Sequence, residues 1–241
     1  MLPIISLIGI PAGGKGTLGS RLAEQFSLYH VSIGDMLRSI TAPSPTVRQY
    51  VEGESLPSEL LTALAGWMDI PVDVLVSNHH AESSLVTLGI ALPALRRTVG
   101  EISKDREYRG ILLNDFPRQL DHAKIAAKFF GFPFPTLAIV IDCPAHVARA
   151  RYLKRARDND NLAAFEKRLG HFWQHMPPLL KELEGSGLVR TVNDESMTIQ
   201  QAYLTLLTNL LRNQAWHDIV NYQPTLILKS PTRTQPSLSD S

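Results

Sequence analysis

The chain has 241 residues, of which 44% are hydrophobic and 20% charged, with a net charge of +1. Those are the proportions of an ordinary globular protein, long enough to bury a substantial core. So even a charge balance supplies no global field for nucleic acid or an anionic membrane, and neither is expected as a partner. The single cysteine, Cys143, excludes an intramolecular disulfide. It ends an apolar run, which suits a buried small residue better than a nucleophile. No spacing resembles a set of metal ligands. No apolar stretch is long enough to span a membrane, and the N-terminal apolar segment lacks the basic leader of a signal peptide. A cytoplasmic monomer is the expectation.

Leu2 to Ile8, with Ile4, Ile5, Leu7 and Ile8, reads as a buried strand. It runs into Gly9-Ile10-Pro11-Ala12-Gly13-Gly14-Lys15-Gly16-Thr17, and a helix is expected over 18–26 from Leu18, Leu22, Ala23 and Phe26. Strand, glycine-rich loop and helix in that order make a phosphate site. Glycines let backbone N–H groups converge as an anion nest, the helix N-terminus adds partial positive charge, and Lys15 reaches the outer phosphates. The strict motif has Ser or Thr directly after the lysine, whereas here Gly16 precedes Thr17.

A second strand is expected at Tyr29 to Ser32, followed by Ile33-Gly34-Asp35-Met36-Leu37-Arg38, where Asp35 is placed to cap a helix with Arg38 one turn in. Two Gly-x-x-Leu-Pro segments follow, Gly53 to Pro57 and Gly89 to Pro93, with an inserted loop expected between them at 70–88. The adjacent His79 and His80 within it read as surface residues. Gly110 to Asn114 is a third strand, leading into Asp115-Phe116-Pro117-Arg118 and, four residues on, His122. Thr136 to Asp142 is a continuous apolar run, as a central parallel strand requires. A basic helix follows with Arg149, Arg151, Lys154, Arg155 and Arg157, then Asp158-Asn159-Asp160-Asn161 and Glu166-Lys167-Arg168-Leu169. Leu188 to Val192 reads as the last strand, and Ile199, Tyr203, Leu206, Leu207 and Leu210 as the apolar stripe of a final helix. From 221 onward the Pro-, Ser- and Thr-rich tail is expected to be mobile.

The Gly-Lys-Gly-Thr ending of the loop, the Gly-Asp-Met-Leu-Arg run, Phe-Pro-Arg after a strand, and the basic 151–169 stretch together resemble nucleoside monophosphate kinases, the adenylate and UMP/CMP kinases. The resemblance spans about residues 3–212. It implies a P-loop three-layer α/β/α domain over 1–220 around a five-stranded parallel sheet, with ligands at the carboxyl ends of the strands. A small helical acceptor lobe would occupy about 39–109 and a short lid about 151–165. The implied reaction moves the γ-phosphoryl of Mg-ATP to a nucleoside monophosphate, AMP first and UMP or CMP next.

Carried over residue by residue, the resemblance puts Pro11, Ala12, Gly13, Gly14, Lys15, Gly16 and Thr17 on the ATP phosphates and Arg151 on the donor base. Arg38 and Arg118 would grip the acceptor phosphate, and Ile33 and His122 stand where relatives meet the acceptor base. Arg155, Arg157 and Arg168 would neutralise the transferring group. The chain also departs from the family. Ala12 replaces a glycine and disfavours positive φ, Ile33 cannot hydrogen-bond a base, and Asn159 replaces one of two lid aspartates. Asn114-Asp115 stands for Asp-Gly. Asp115 either turns back to hold Mg2+ through water or leaves the metal on the nucleotide phosphates alone, and the second course is expected, with crowding at Phe116-Pro117. Two other readings stand beside the kinase, a nucleotide-binding pseudoenzyme of this fold and a P-loop ATPase.

Overall fold

A computed structural model describes residues 2–33, 62, 84–104, 107–155 and 160–222. Five parallel strands form one sheet: β1 (Ile4–Ile8), β2 (Leu28–Ser32), β3 (Gly110–Asn114), β4 (Leu137–Asp142) and β5 (Leu188–Val192), in the order β2-β3-β1-β4-β5. Every residue of β1 is buried, as expected of a central strand covered on both faces. Its neighbours hold it in register, Leu7 opposite Asn114 on β3 and Ile139 on β4.

The helices that lie within the described residues are α1 (Lys15–Phe26), α2 (Ser84–Ile102), α3 (Leu120–Phe130), α4 (Ala145–Arg155), α5 (Leu162–Leu183), α6 (Ile199–Leu210) and α7 (Gln214–Val220). Strand side chains alternate between two cores, as a two-residue period demands. Ile5, Leu7, Leu112, Ile139 and Ile141 pack with Leu18 and Leu22 of α1, Leu206 and Leu210 of α6, and Trp216 of α7. On the opposite face Ile4, Ile111 and Leu113 pack with Leu88, Leu92 and Leu95 of α2 and Ile125 of α3. Ile8, Ala138 and Val140 meet Met176, Leu179 and Leu183 of α5 there. Each fully buried Ile or Leu contributes about 2 kcal/mol, so this double core makes the sheet a rigid platform for the loops at its carboxyl edge.

Three expectations need correction. Helix α1 begins at Lys15, not at 18, because the end of the loop already forms its first turn, with Leu18 N–H donating to Gly14 O at 3.0 Å. Gly89 to Pro93 lies inside α2, so this segment is helix rather than a turn. Residues 84–88, expected at the end of an inserted loop, begin the same helix. The sequence reading also passed over α3 and α7. Gly53 to Pro57, His79, His80 and the tail from 223 lie outside the described residues.

Candidate active site

The loop between β1 and α1 crosses the end of the central strand at very short range. A Cβ at Gly9 would stand 2.8 Å from the backbone oxygen of Ile141, so only glycine lets the chain leave β1 so close to β4. At Gly14 φ is +103°, in the range that favours glycine. Ala12 also takes a positive φ, +58°, although it carries a side chain. The left-handed conformation expected to be disfavoured there is adopted nonetheless, at a cost of about 1 kcal/mol. Lys15 is only 7% exposed. Its Nζ donates to Gly9 O at 2.7 Å and Ile10 O at 2.9 Å, and it pairs with Asp115 Oδ1 at 3.2 Å. Pro11, Gly16 and Thr17 line the same cleft.

The end of β3, the strand next to β1, lines the same cleft. Asn114 is 6% exposed, and its Oδ1 is buried without a hydrogen-bond partner. Asp115 has φ +63° and turns its carboxylate onto Lys15. The left-handed backbone accommodates the side chain at this position, and Phe116 beyond it is fully buried in the core instead of being crowded out. Burial works against the charge on Asp115, but Lys15, Arg118 and Arg168 outweigh it and hold the carboxyl below its ordinary range. Arg118 is anchored twice: its Nε donates to Asp115 O at 3.0 Å, and its backbone N–H to His122 Nδ1 at 3.4 Å. His122 stacks on Phe116 at 5.4 Å and is 2% exposed, though it still lines the cleft. Ile33 does not line the cleft. It is fully buried in the core around Phe116.

The arginines of α4 and α5 are arranged around Tyr152, which is fully buried. The guanidinium carbons of Arg155 and Arg168 stand 4.7 and 5.7 Å from its ring centre. Arg155 is held bidentately by Asp160, with Nε and Nη2 donating at 2.7 and 2.8 Å. Asn161 caps α5 by accepting from Ala164 N–H at 2.8 Å. Arg151 donates to the backbone oxygens of Asn193 and Asp194 at 3.5 and 3.1 Å, and to Cys143 Sγ at 3.6 Å. Burial pushes the Cys143 thiol up, in keeping with a structural residue and not a nucleophile. Arg38, Arg157, Asp158 and Asn159 lie outside the described residues.

The fold thus brings the loop, Asn114, Asp115, Arg118, His122, Arg151, Arg155 and Arg168 around one cleft of about 1280 Å³. Sequence reasoning missed Asn193, which lines the cleft from the end of β5 and carries no motif to announce it. Among the described residues no group of three or more His, Cys, Asp or Glu gathers as a metal site. Hard oxygens that line the cleft include those of Thr17, Ser32, Asp115, Glu166 and the orphaned Asn114 Oδ1. That set suits magnesium, which is held by one or two carboxylates together with water and phosphate oxygens. No described helix is long and apolar enough to cross a membrane.

A family model described as AAA domain matches residues 8–66. Relatives extend over most of the chain. UMP-CMP kinase of Lentinula edodes is 27% identical over 204 residues, covering 83% of this chain and 82% of its own. Human adenylate kinase isoenzyme 1 is 26% identical over 211 residues, covering 86% and 93%. Uridylate kinase of Saccharomyces cerevisiae is 26% identical over 215 residues, covering 83% and 89%. Fold and site together define a nucleotide-binding P-loop protein of the α/β class. Over most of its length the chain is similar to nucleoside monophosphate kinases, at about 26% identity.

Proposed function

We propose that the protein is a phosphotransferase that moves the γ-phosphoryl of Mg-ATP to a nucleoside monophosphate, with AMP the first candidate acceptor and UMP or CMP the next. The observation that carries this reading is a further arginine beside the phosphate loop in one cleft. Lys15 and the loop line it together with Arg118, which is anchored on the backbone oxygen of Asp115, the residue whose carboxylate pairs with Lys15. A hydrolase acting on water needs Lys15 and the loop only.

The chemistry asks for positioning and charge neutralisation more than for covalent participation. The loop N–H groups and Lys15 take the donor phosphates, and Lys15 must exchange its contacts with Gly9 O, Ile10 O and Asp115 for them. Arg118, with Nε tied to Asp115 O, presents its remaining guanidinium N–H groups to the acceptor phosphate. Arg38 is assigned to the same anion. Arg168, Arg155 and Arg157 are assigned to the transferring group, and Arg151 to the donor base. Asp115 and Asn114 would hold magnesium through water, and the metal supplies neutralisation of the charge developing between the two anions.

The test supplies ATP and magnesium with AMP, CMP, UMP or dAMP in turn, following nucleoside diphosphate and free phosphate together. Diphosphate made from one acceptor is the expected result. Phosphate released without any acceptor would establish an ATPase, and nucleotide binding with neither product a pseudoenzyme.

A further inference from the structure

Asn193, the first residue past β5, is 7% exposed, and its Nδ2 donates to Gly13 O at 2.8 Å. The same nitrogen lies only 2.1 Å from where a Cβ on Gly14 would stand. The amide therefore presses directly on the turn at which the loop takes its φ of +103°. Asn193 is itself held by its backbone: its N–H donates to Asp142 O at 2.9 Å, and its carbonyl accepts from Arg151 Nη1 at 3.5 Å. Arg151 reaches the next residue as well, with Nη2 donating to Asp194 O at 3.1 Å.

A trans peptide points its C=O and its following N–H in opposite directions. Anchoring Gly13 O on Asn193 turns the Gly14 N–H the other way, and Gly14 lines the cleft. We propose that Asn193 is a positioning residue for the phosphate loop: its side-chain amide holds the Gly13–Gly14 peptide so that the loop's donors face the donor phosphates, with Arg151 bracing it from α4. This rests on the reading of the loop as the donor phosphate site. The strut joins the loop to the ends of β4 and β5, elements far from it in sequence. It also gives Arg151 structural work separate from any contact with a base.

The experiment measures binding of inorganic tripolyphosphate and of Mg-ATP, with steady-state constants for donor and acceptor, in wild type, Asn193→Ala and Asn193→Ser. Losing a buried donor and leaving Gly13 O unpaired weakens both phosphate ligands about tenfold in Asn193→Ala. The acceptor KM stays within about twofold, since only donor preorganisation is lost. Asn193→Ser keeps a donor and falls between the two, and it carries the test if the alanine variant does not fold. Gly14→Ala, whose Cβ would collide with Nδ2, must cost less donor affinity in an Asn193→Ala background than alone, a coupling of touching residues. Donor and acceptor constants rising together, or variants that bind tripolyphosphate as wild type does, would overturn the role of Asn193 while leaving the phosphate site intact. Wild type that fails to bind tripolyphosphate would overturn the phosphate site itself, and the strut with it.

Discussion

Asp115→Asn separates the charge at the end of β3 from its shape. Asparagine is isosteric and tolerates positive φ as readily as aspartate, so the +63° backbone is kept and only the carboxylate is lost. The pair with Lys15 spans 3.2 Å, and the Asp115 side chain is 41% exposed. At that distance with water-like screening the pair is worth about 1 kcal/mol, and its exposure keeps it at or below that figure. Metal-free ATP, which competes with the carboxylate for Lys15, should therefore bind up to about fivefold tighter to the variant. In saturating magnesium the sign reverses. If Asp115 holds the metal's water shell, the tightening produced by magnesium shrinks, and kcat falls about tenfold or more, roughly 1.4 kcal/mol of barrier. Calorimetric titration with ATP in EDTA and again in magnesium reads both arms. Weaker binding of metal-free ATP, or an unchanged magnesium dependence, would refute the reasoning and return the metal to the nucleotide phosphates alone. Stability gives a separate check. Because the folded carboxyl titrates below its ordinary 3.8, its contribution is present above about pH 4 and is lost as pH falls through the lowered value. The gap in Tm between wild type and Asp115→Asn, at most about 2–4 °C at neutral pH, should close on acidification.

Arg118→Ala should raise the acceptor KM and lower kcat with donor affinity nearly unchanged, and Arg118→Lys should do little better, because a point charge cannot replace a planar fork. A loss of ATP affinity equal to that of Lys15→Ala would count against the assignment. Ala12→Gly removes about 1 kcal/mol of left-handed strain but adds comparable freedom to the unfolded chain, so Tm should stay within about 3 °C while the donor KM falls. Calorimetry and initial rates check both. Gly9→Ala forces a Cβ to 2.8 Å from the Ile141 oxygen, where backbone must yield, so denaturant unfolding should show a loss of about 2 kcal/mol with the m-value unchanged.

Period and punctuation in the sequence were enough for the sheet. Ile4–Ile8, Gly110–Asn114, Leu137–Asp142 and Leu188–Val192 are apolar runs bounded by turns, and their strands fall at or within a residue or two of the expected bounds. The phosphate loop was legible for the same reason, since its function depends on glycines and a lysine at fixed local spacing. What is local in chemistry is local in sequence. The helix through Gly89 to Pro93 was not legible, because a glycine and a proline nearby read as a turn, and only burial of Leu88, Leu92 and Leu95 against β3 and Phe116 overrides that propensity.

Other features were decided by tertiary structure alone. The departure at Asn114-Asp115 was visible as a departure, yet whether the carboxylate turned inward depended on the φ at Asp115 and on Lys15 waiting 3.2 Å away, 100 residues earlier in the chain. Ile33 stood in a motif position but went into the core, since a branched apolar side chain gains more from burial than from a polar cleft. Asn193 met Gly13 across 180 residues. Parallel strands bring their carboxyl ends to one edge of the sheet however far apart they lie in the chain, and contacts made at that edge leave no periodic trace in the sequence.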